Sequence, residues 1–227
     1  MKAGETIRLM REKGQTVVLE KEVKEVLELA GIPTTRCYAV ESAQDACRQA
    51  EKIGYPVVLK ISSLSLLHKS EIGGVVLNLT TPDDLSAAYE QLLDRGRKHA
   101  PHVGITIQKM APPGVELIAG ATTDPHFGAV LMLGTGGIFT ELLQDMVFRM
   151  PPLPDADAIE MIYSLRGIPL LKGYRGRETS DIEAVRDVLL RLSELVIQVP
   201  EIKELDINPL VVYPRGVLAL DARMVLK

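Results

Sequence analysis

Several groups of side chains in this sequence have the types and spacing to do chemistry. His68 lies in SSLSLLHKSEIGG, residues 62–74, between two apolar runs, PVVLKI and GVVLNL. A hairpin needs only about two to five connecting residues. This connection is longer, and it carries a histidine, a lysine and two glycines. A neutral imidazole nitrogen is nucleophilic near neutral pH, and an over-long loop lets it travel. Seen in isolation, an exposed loop histidine is the plainer reading. Lys60 closes PVVLKI. Its stem can lie along a core while its ammonium reaches a cleft, where a compact positive charge suits a nucleotide phosphate. The alternative is a lysine that snorkels to water at a strand end.

The second group closes the chain. Asp206 and Asn208 are two apart on a predicted strand and so share a face. The return strand brings Asp221 to within about one residue of being opposite Asn208. Converging oxygen donors suit a magnesium ion that carries nucleotide phosphates, because such an ion uses few protein ligands. A solvated hairpin face is the competing reading, and the apolar neighbours on both sides weigh against it. A third group, LGTGGIF with Gly134, Gly136 and Gly137, is neither a Walker loop nor a dinucleotide fingerprint. It lets backbone approach a phosphate or a moving segment, or it is simply a tight turn. Glu116 and Glu141 are placed either to face the same cleft or to lie on the surface. His99 and His102, in KHAPHVG, and His126, in a turn, lack the surroundings of His68.

The elements that must position these residues are readable from periodicity. Leu19, Val23, Val26, Leu27 and Ala30 recur at helical spacing over 17–30, and Gly31 and Pro33 stop the run. CYAV, 37–40, reads as a strand. A helix capped by Ser42 runs to Gly54, strands follow at 56–61 and 73–79, a helix opens at Thr81-Pro82, and GITIQKM, 104–110, is the next strand. Together these form a βαββαβ-like small lobe. Beyond it, GVELIAGATTD and GAVLMLG read as adjacent strands joined at Asp124-Pro125. VFRMPPL reads as extended, and Asp155–Leu165 as a short helix. Ser180 with Glu183 matches a capping box opening a long helix to Val199. The final stretch reads as two strands around Pro214-Arg215-Gly216. Helices segregate from mainly antiparallel strands, so the fold class is α+β, or mixed α/β, rather than a doubly wound sheet.

Bulk properties exclude several functions. The chain has 227 residues, enough for two lobes with separate cores. Net charge is −4, no basic run is present, and three Phe and six Tyr offer few stacking platforms, so nucleic acid is not an expected partner. No apolar run reaches the length of a membrane span and the N-terminus has no signal-peptide core, so a cytoplasmic protein without a membrane partner is expected. Cys37 and Cys47 are too few for a disulfide framework or a four-ligand zinc site and read as packing residues.

GYPVVLKISSLSLLHKSEIGGVVLNL, GVELIAGATTDPHFGAVLMLGTGGIFTELLQDMVFRMPPL, LLKGYRG and ELDINPLVVYPRGVLALDAR together resemble the β subunits of ADP-forming acetyl-CoA synthetases (acetate–CoA ligases). These are ATP-grasp proteins related to the β subunit of succinyl-CoA synthetase. The resemblance covers nearly the whole chain. It implies an ATP-grasp fold with two lobes around a nucleotide cleft: a small lobe over 17–107 carrying the His68 loop, and a large lobe over 1–16 and 108–227 carrying the metal-binding hairpin. It implies the reversible reaction of acetyl-CoA, ADP and phosphate to acetate, CoA and ATP. A partner α subunit would bind CoA, form an acyl phosphate and carry a first phosphohistidine, in an αβ or α₂β₂ assembly.

By the same resemblance, His68 receives that phosphoryl group and delivers it to ADP. Lys60 binds nucleotide phosphates. Gln108, Lys109 and Met110 contact adenine at the hinge between lobes, and Glu116 faces the ribose or phosphates. Asn208 and Asp221 hold Mg2+, Asp206 orients the docked phosphohistidine, and Gly136 and Gly137 leave room for it. Gly14–Val18 and Gly173–Gly176 are candidate contacts with the α subunit. Two alternatives stand beside this reading. A stand-alone ATP-grasp carboxylate ligase explains Lys60, Asn208 and Asp221 but leaves His68 idle. A non-catalytic nucleotide-sensing lobe leaves the whole set without a reaction.

Overall fold

The computed structural model describes residues 3–66, 69, 71–137, 145–176 and 178–227. His68 and Glu141 lie outside the described residues. The chain divides into two compact units: one comprises residues 1–18, 22–34 and 113–227, the other 19–21 and 35–112. Residues 17–18 and 22–34, assigned from sequence to the smaller lobe, belong to the larger unit, and 108–112 belong to the smaller one.

The smaller unit is a four-stranded antiparallel sheet with two helices. Its strands are β2 (Cys37–Val40), β3 (Val57–Ser62), β4 (Val75–Leu79) and β5 (Gly104–Lys109), in the order β2-β5-β3-β4. Its helices are α3 (Ala43–Ile53) and α4 (Pro82–Arg97). The sequence dictates both helix starts. Ser42 and Thr81 have extended backbones, and their hydroxyls accept from the amides of Asp45 and Asp84. Leu85, Ala88, Tyr89 and Leu92 of α4 pack with Ala46 and Ala50 of α3 on Val57, Leu59, Ile61, Ile105 and Ile107. Strand alternation therefore sends Val58, Lys60, Thr106 and Gln108 to the face opposite α3 and α4.

The larger unit is a seven-stranded antiparallel sheet. Its strands are β1 (Val17–Val18), β6 (Val115–Asp124), β7 (Gly128–Thr135), β8 (Met146–Arg149), β9 (Ile202–Val212), β10 (Val217–Ala219) and β11 (Ala222–Leu226). The order is β1-β11-β9-β6-β7-β8, with β10 also on β9. The helices of this unit are α1 (Ala3–Glu12), most of α2 (Glu20–Leu29), α5 (Asp155–Tyr163), the short α6 (Ile168–Leu171) and α7 (Ile182–Gln198). In α7, Val185, Val188, Leu189, Leu192, Leu195 and Val196 recur at helical spacing and are buried. They share a core with Ile7, Val26, Met161, Leu131, Leu205, Ile207 and Leu210. The helices thus cover one face of this sheet.

Four local readings change. Helix α1 was not expected from sequence. Val17 and Val18, read as the start of a helix, instead pair with Val225 and Met224, as suits a β-branched pair beside an open strand edge. The N-cap of α7 is Asp181, not Ser180: its carboxylate accepts from the amides of Ala184 at 3.0 Å and Gly216 at 2.8 Å. The terminal pair of strands is three pieces, because the return strand breaks at Leu220-Asp221, where the Leu220 amide turns to the Pro209 carbonyl. The turn at Asp124 is as expected, with Asp124 Oδ1 accepting from the amides of His126 and Phe127. No helix among the described residues is long and apolar enough to cross a membrane.

The two amide bonds hold the Asp181 carboxyl below its usual range. A depressed folded-state value means that the carboxylate stabilises the fold above its unfolded pKa, and that this stabilisation is lost as pH falls through the folded one. Asp181→Ala is expected to cost about 1 kcal/mol at pH 7 and to flatten the acid limb of stability. Urea unfolding between neutral and acidic pH measures both effects.

Candidate active site

The face of the small sheet opposite α3 and α4 gathers the first set of predicted residues. Lys60 is the fourth of six residues in β3 and is 4% exposed. It is therefore not a snorkelling strand-end lysine. Its Nζ donates to Glu20 Oε1 at 2.7 Å. The other oxygen of the same carboxylate accepts from Nζ of Lys69, the residue after His68. Glu20 opens α2, so the positive end of that helix also favours its charge. Nothing in the sequence separates Glu20 from Glu22, Glu25 or Glu28, and it lies forty positions from Lys60, which is why sequence reasoning missed it.

Gln108 is buried on the same face, between Cys37 of β2 and Val58 of β3. Lys109 points away to solvent, and its Nζ donates to the carbonyls of Gly54 and Tyr55 at 2.9 and 2.6 Å, closing the end of α3. The Met110 amide donates to the Pro56 carbonyl at 3.0 Å. These three residues are thus together, at the exit of β5.

The segment that carries His68 is fastened at both ends. Leu66 and Ile72 pack on the small core. The Ser63 hydroxyl donates to the His102 carbonyl at 2.8 Å, and the Ile61 amide to the Gly74 carbonyl at 2.8 Å. The Arg95 guanidinium donates to the Gly73 carbonyl.

The second set sits on the helix-free face of the large sheet. Leu205, Ile207 and Leu210 of β9, Leu117 and Ala119 of β6, and Ala222 and Met224 of β11 all point into the core. Their alternate neighbours Asp206, Asn208, Glu116, Asp221 and Arg223 are left on the other side. The registers Ala222↔Ile207 and Arg223↔Asp206, continued one residue beyond the start of β11, set Asp221 opposite Asn208, whose amide donates to the Asp221 carbonyl at 3.1 Å. Cross-strand partners project to one face, so the two side chains are neighbours. Asp206 lies between Arg223 and Gly120. A Cβ on Gly120 would come within 2.5 Å of the Leu205 carbonyl oxygen, so this close approach of strands next to Asp206 needs glycine.

Gly136 and Gly137 lie against Glu116. The Gly136 amide donates to the Glu116 carbonyl at 2.8 Å, and a Cβ at Gly136 would stand 2.9 Å from that carbonyl carbon. Gly137 has φ +68°, and its Cβ would lie 3.5 Å from Glu116 Oε2. Packing on Glu116 alone therefore accounts for a glycine at position 136. At the GYRG motif, Gly173 and Gly176 both have positive φ around a short 3-10 turn, and Tyr174 is exposed.

Among the described residues no group of three or more His, Cys, Asp and Glu could hold a metal ion. A magnesium ion that keeps phosphates and waters needs only one or two protein oxygens. One carboxylate beside one amide oxygen, Asp221 and Asn208, fits that demand and would not fit a cation that needs an all-protein cage.

Comparison with known proteins places this geometry in a class. A family model described as an ATP-grasp domain matches residues 9–226. The β subunit of acetate–CoA ligase [ADP-forming] II of Pyrococcus furiosus is 40% identical over 233 residues, covering 99% of both chains. The 4-hydroxybutyrate–CoA ligase [ADP-forming] of Nitrosopumilus maritimus is 41% identical over 202 residues, 88% of this chain and 29% of that protein. A structure of the dinucleotide-forming acetyl-coenzyme A synthetase 1 of Ca. Korarchaeum cryptofilum, solved with coenzyme A, Ca-AMPCP and HgCl+, superposes with a TM-score of 0.95 at 39% identity, covering 100% of both chains. Another structure of that protein holds coenzyme A and Mg-AMPPCP, with a phosphohistidine segment pointing towards the nucleotide-binding site; it superposes with a TM-score of 0.86 at 38% identity, covering 100% of both chains. The chain is an ATP-grasp protein and belongs, within that class, to the family of β subunits of ADP-forming acetate–CoA ligases.

Gly136→Ala should cost about 1–3 kcal/mol of stability and weaken nucleotide binding, because the new methyl displaces the Glu116 backbone. Denaturant unfolding and ADP titration calorimetry measure the two. Unchanged values in both would show that the contact with Glu116 does not constrain this position.

Proposed function

We propose that the chain is the nucleotide-binding catalytic β subunit of an ADP-forming acetyl-CoA synthetase, acting in the reversible conversion of acetyl-CoA, ADP and phosphate to acetate, CoA and ATP. The observation that carries this reading is the register of β9 on β11, which sets Asn208 beside Asp221 on the face that also bears Asp206 and Glu116.

Phosphoryl transfer needs in-line placement and charge neutralisation more than it needs covalent chemistry from the protein. Lys60 supplies a fixed positive charge for the nucleotide phosphates in a dry environment. Asn208 and Asp221 would hold Mg2+, which when bound neutralises charge on the phosphates. Glu116 faces the ribose or phosphates. Gln108, Lys109 and Met110 line the base. Because the Met110 amide and the Lys109 ammonium already have protein partners, adenine recognition falls to other groups of this stretch.

His68 acts as the carrier. Its imidazole nitrogen forms an N–P bond as the N–P bond of a phosphohistidine on the α subunit breaks, leaving that imidazole free. The N–P bond at His68 then breaks as an oxygen of the ADP β-phosphate forms the new O–P bond, and the neutral imidazole is regenerated. Asp206 fixes the ring tautomer when the phosphohistidine docks, with Gly136 and Gly137 beside it. Fastening of the segment at both its ends supports a tethered carrier. The partner is a CoA-binding α subunit in an αβ or α₂β₂ assembly, with Gly14–Val18 and Gly173–Gly176 as contact surfaces. All substrates are water-soluble, in keeping with a cytoplasmic enzyme.

Incubation of the full chain with magnesium and γ-labelled ATP is expected to give an acid-labile, base-stable protein phosphate that is absent in His68→Ala. A wild-type chain that binds ATP but takes up no label would contradict the carrier role.

A further inference from the structure

The side chain of Glu20 is 4% exposed, and its carboxylate is shared by two ammonium groups, those of Lys60 and Lys69. Stability alone does not call for such an arrangement. Taking charges out of water is costly, and an apolar residue of similar volume often does as well or better at such a site. The two lysines also differ in setting. Lys60 sits in mid-strand on a hydrogen-bonded sheet, paired with Thr106 and Val75. Lys69 belongs to the connection between β3 and β4, and its carbonyl accepts from the Gly74 amide at 2.6 Å. A single carboxylate therefore ties a rigid element to the segment that carries His68.

We propose that Glu20 is a positioning residue for phosphoryl transfer, holding the Lys60 ammonium in place for nucleotide phosphate and, through Lys69, anchoring the His68 segment to the same point. The proposal rests on the carrier reading given above and adds to it a residue and a coupling. One oxygen of Glu20 accepts from Lys60 and the other from Lys69. A charge-assisted pair of this kind is stronger and more directional than a neutral one. Losing the carboxylate leaves Lys60 without this partner, and losing Lys69 alone leaves the Lys60 contact intact. The two changes should therefore separate nucleotide affinity from transfer rate.

The test uses the full chain, with ADP titration calorimetry for affinity and rapid-quench labelling by γ-labelled ATP and magnesium for transfer. Lys69→Met, a change at a partly exposed position that should not disturb folding, is expected to slow labelling about tenfold while ADP affinity stays within about twofold. Glu20→Gln is expected to weaken ADP binding about tenfold and to slow labelling as well, and Glu20→Asp to recover part of both. Labelling at the wild-type rate in Lys69→Met, or unchanged ADP affinity in Glu20→Gln, overturns the proposal. A wild-type chain that binds ADP but takes no label overturns the carrier reading and with it the anchoring role of Lys69. The role of Glu20 toward Lys60 is then decided by the affinity arm alone.

Discussion

Strand β9 is the constraint on which the larger unit depends. It pairs with β6 on one side and with β10 and β11 on the other, so neither its register nor its facing can change independently. Alternation along it sends Leu205 and Ile207 into the core beneath α7 and leaves Asp206 and Asn208 on the other face, and a register shift against β6 between Ile207 and Leu210 returns Leu210 to the core. A slip of one residue would drive a carboxylate and an amide into that core and bring leucines out, at a cost of several kcal/mol for each unsatisfied group. Core packing and the placement of the oxygen donors are thus one constraint. The same logic sets Asp221: Ala222 and Met224 must point inward, so Asp221 must point outward, beside Asn208.

The smaller unit solves a different problem. Its face opposite α3 and α4 buries polar side chains, Lys60, Thr106 and Gln108 among them, instead of exposing them. Buried charge demands partners, and Glu20, at the start of a helix distant in sequence, meets that demand for Lys60. The oxygen donors Asn208 and Asp221 are placed by strand register in one unit, and the Lys60 ammonium is held by an ion pair in the other. The first arrangement is as rigid as the sheet. The second includes Lys69, one residue from His68, and so joins a fixed lysine to the segment proposed to move.

Much of this was legible in the sequence because it obeys local rules. The βαββαβ order follows from β-branched runs separated by capped helices, and Ser42 and Thr81 cap as their types require. The closing hairpin was readable to within one residue because its turn fixes the register. Local rules misplaced the cap of α7: Ser180 and Glu183 satisfy the capping-box pattern, yet Asp181 wins because it also accepts from the Gly216 amide, a contact made only in the folded chain. Val17 and Val18 continue a helical pattern but are claimed by the edge of β11. Glu20 could not be found at all, since its importance lies in a partner forty residues away. The requirement for glycine at 136 also differs in origin from the sequence reading. Packing against the Glu116 backbone accounts for it without any ligand.

The central claim is that strand register builds the metal–nucleotide site at Asn208 and Asp221. Its most direct test is paramagnetic broadening of backbone amide signals when Mn2+ and ADP are added together to the isotope-labelled full chain. The account predicts that the amides of residues 206–208 and 220–222 broaden first, and that the effect is lost in Asp221→Ala while the other amide signals of the sheet keep their positions. Sharp signals at those residues, with broadening centred elsewhere on the chain, would contradict it.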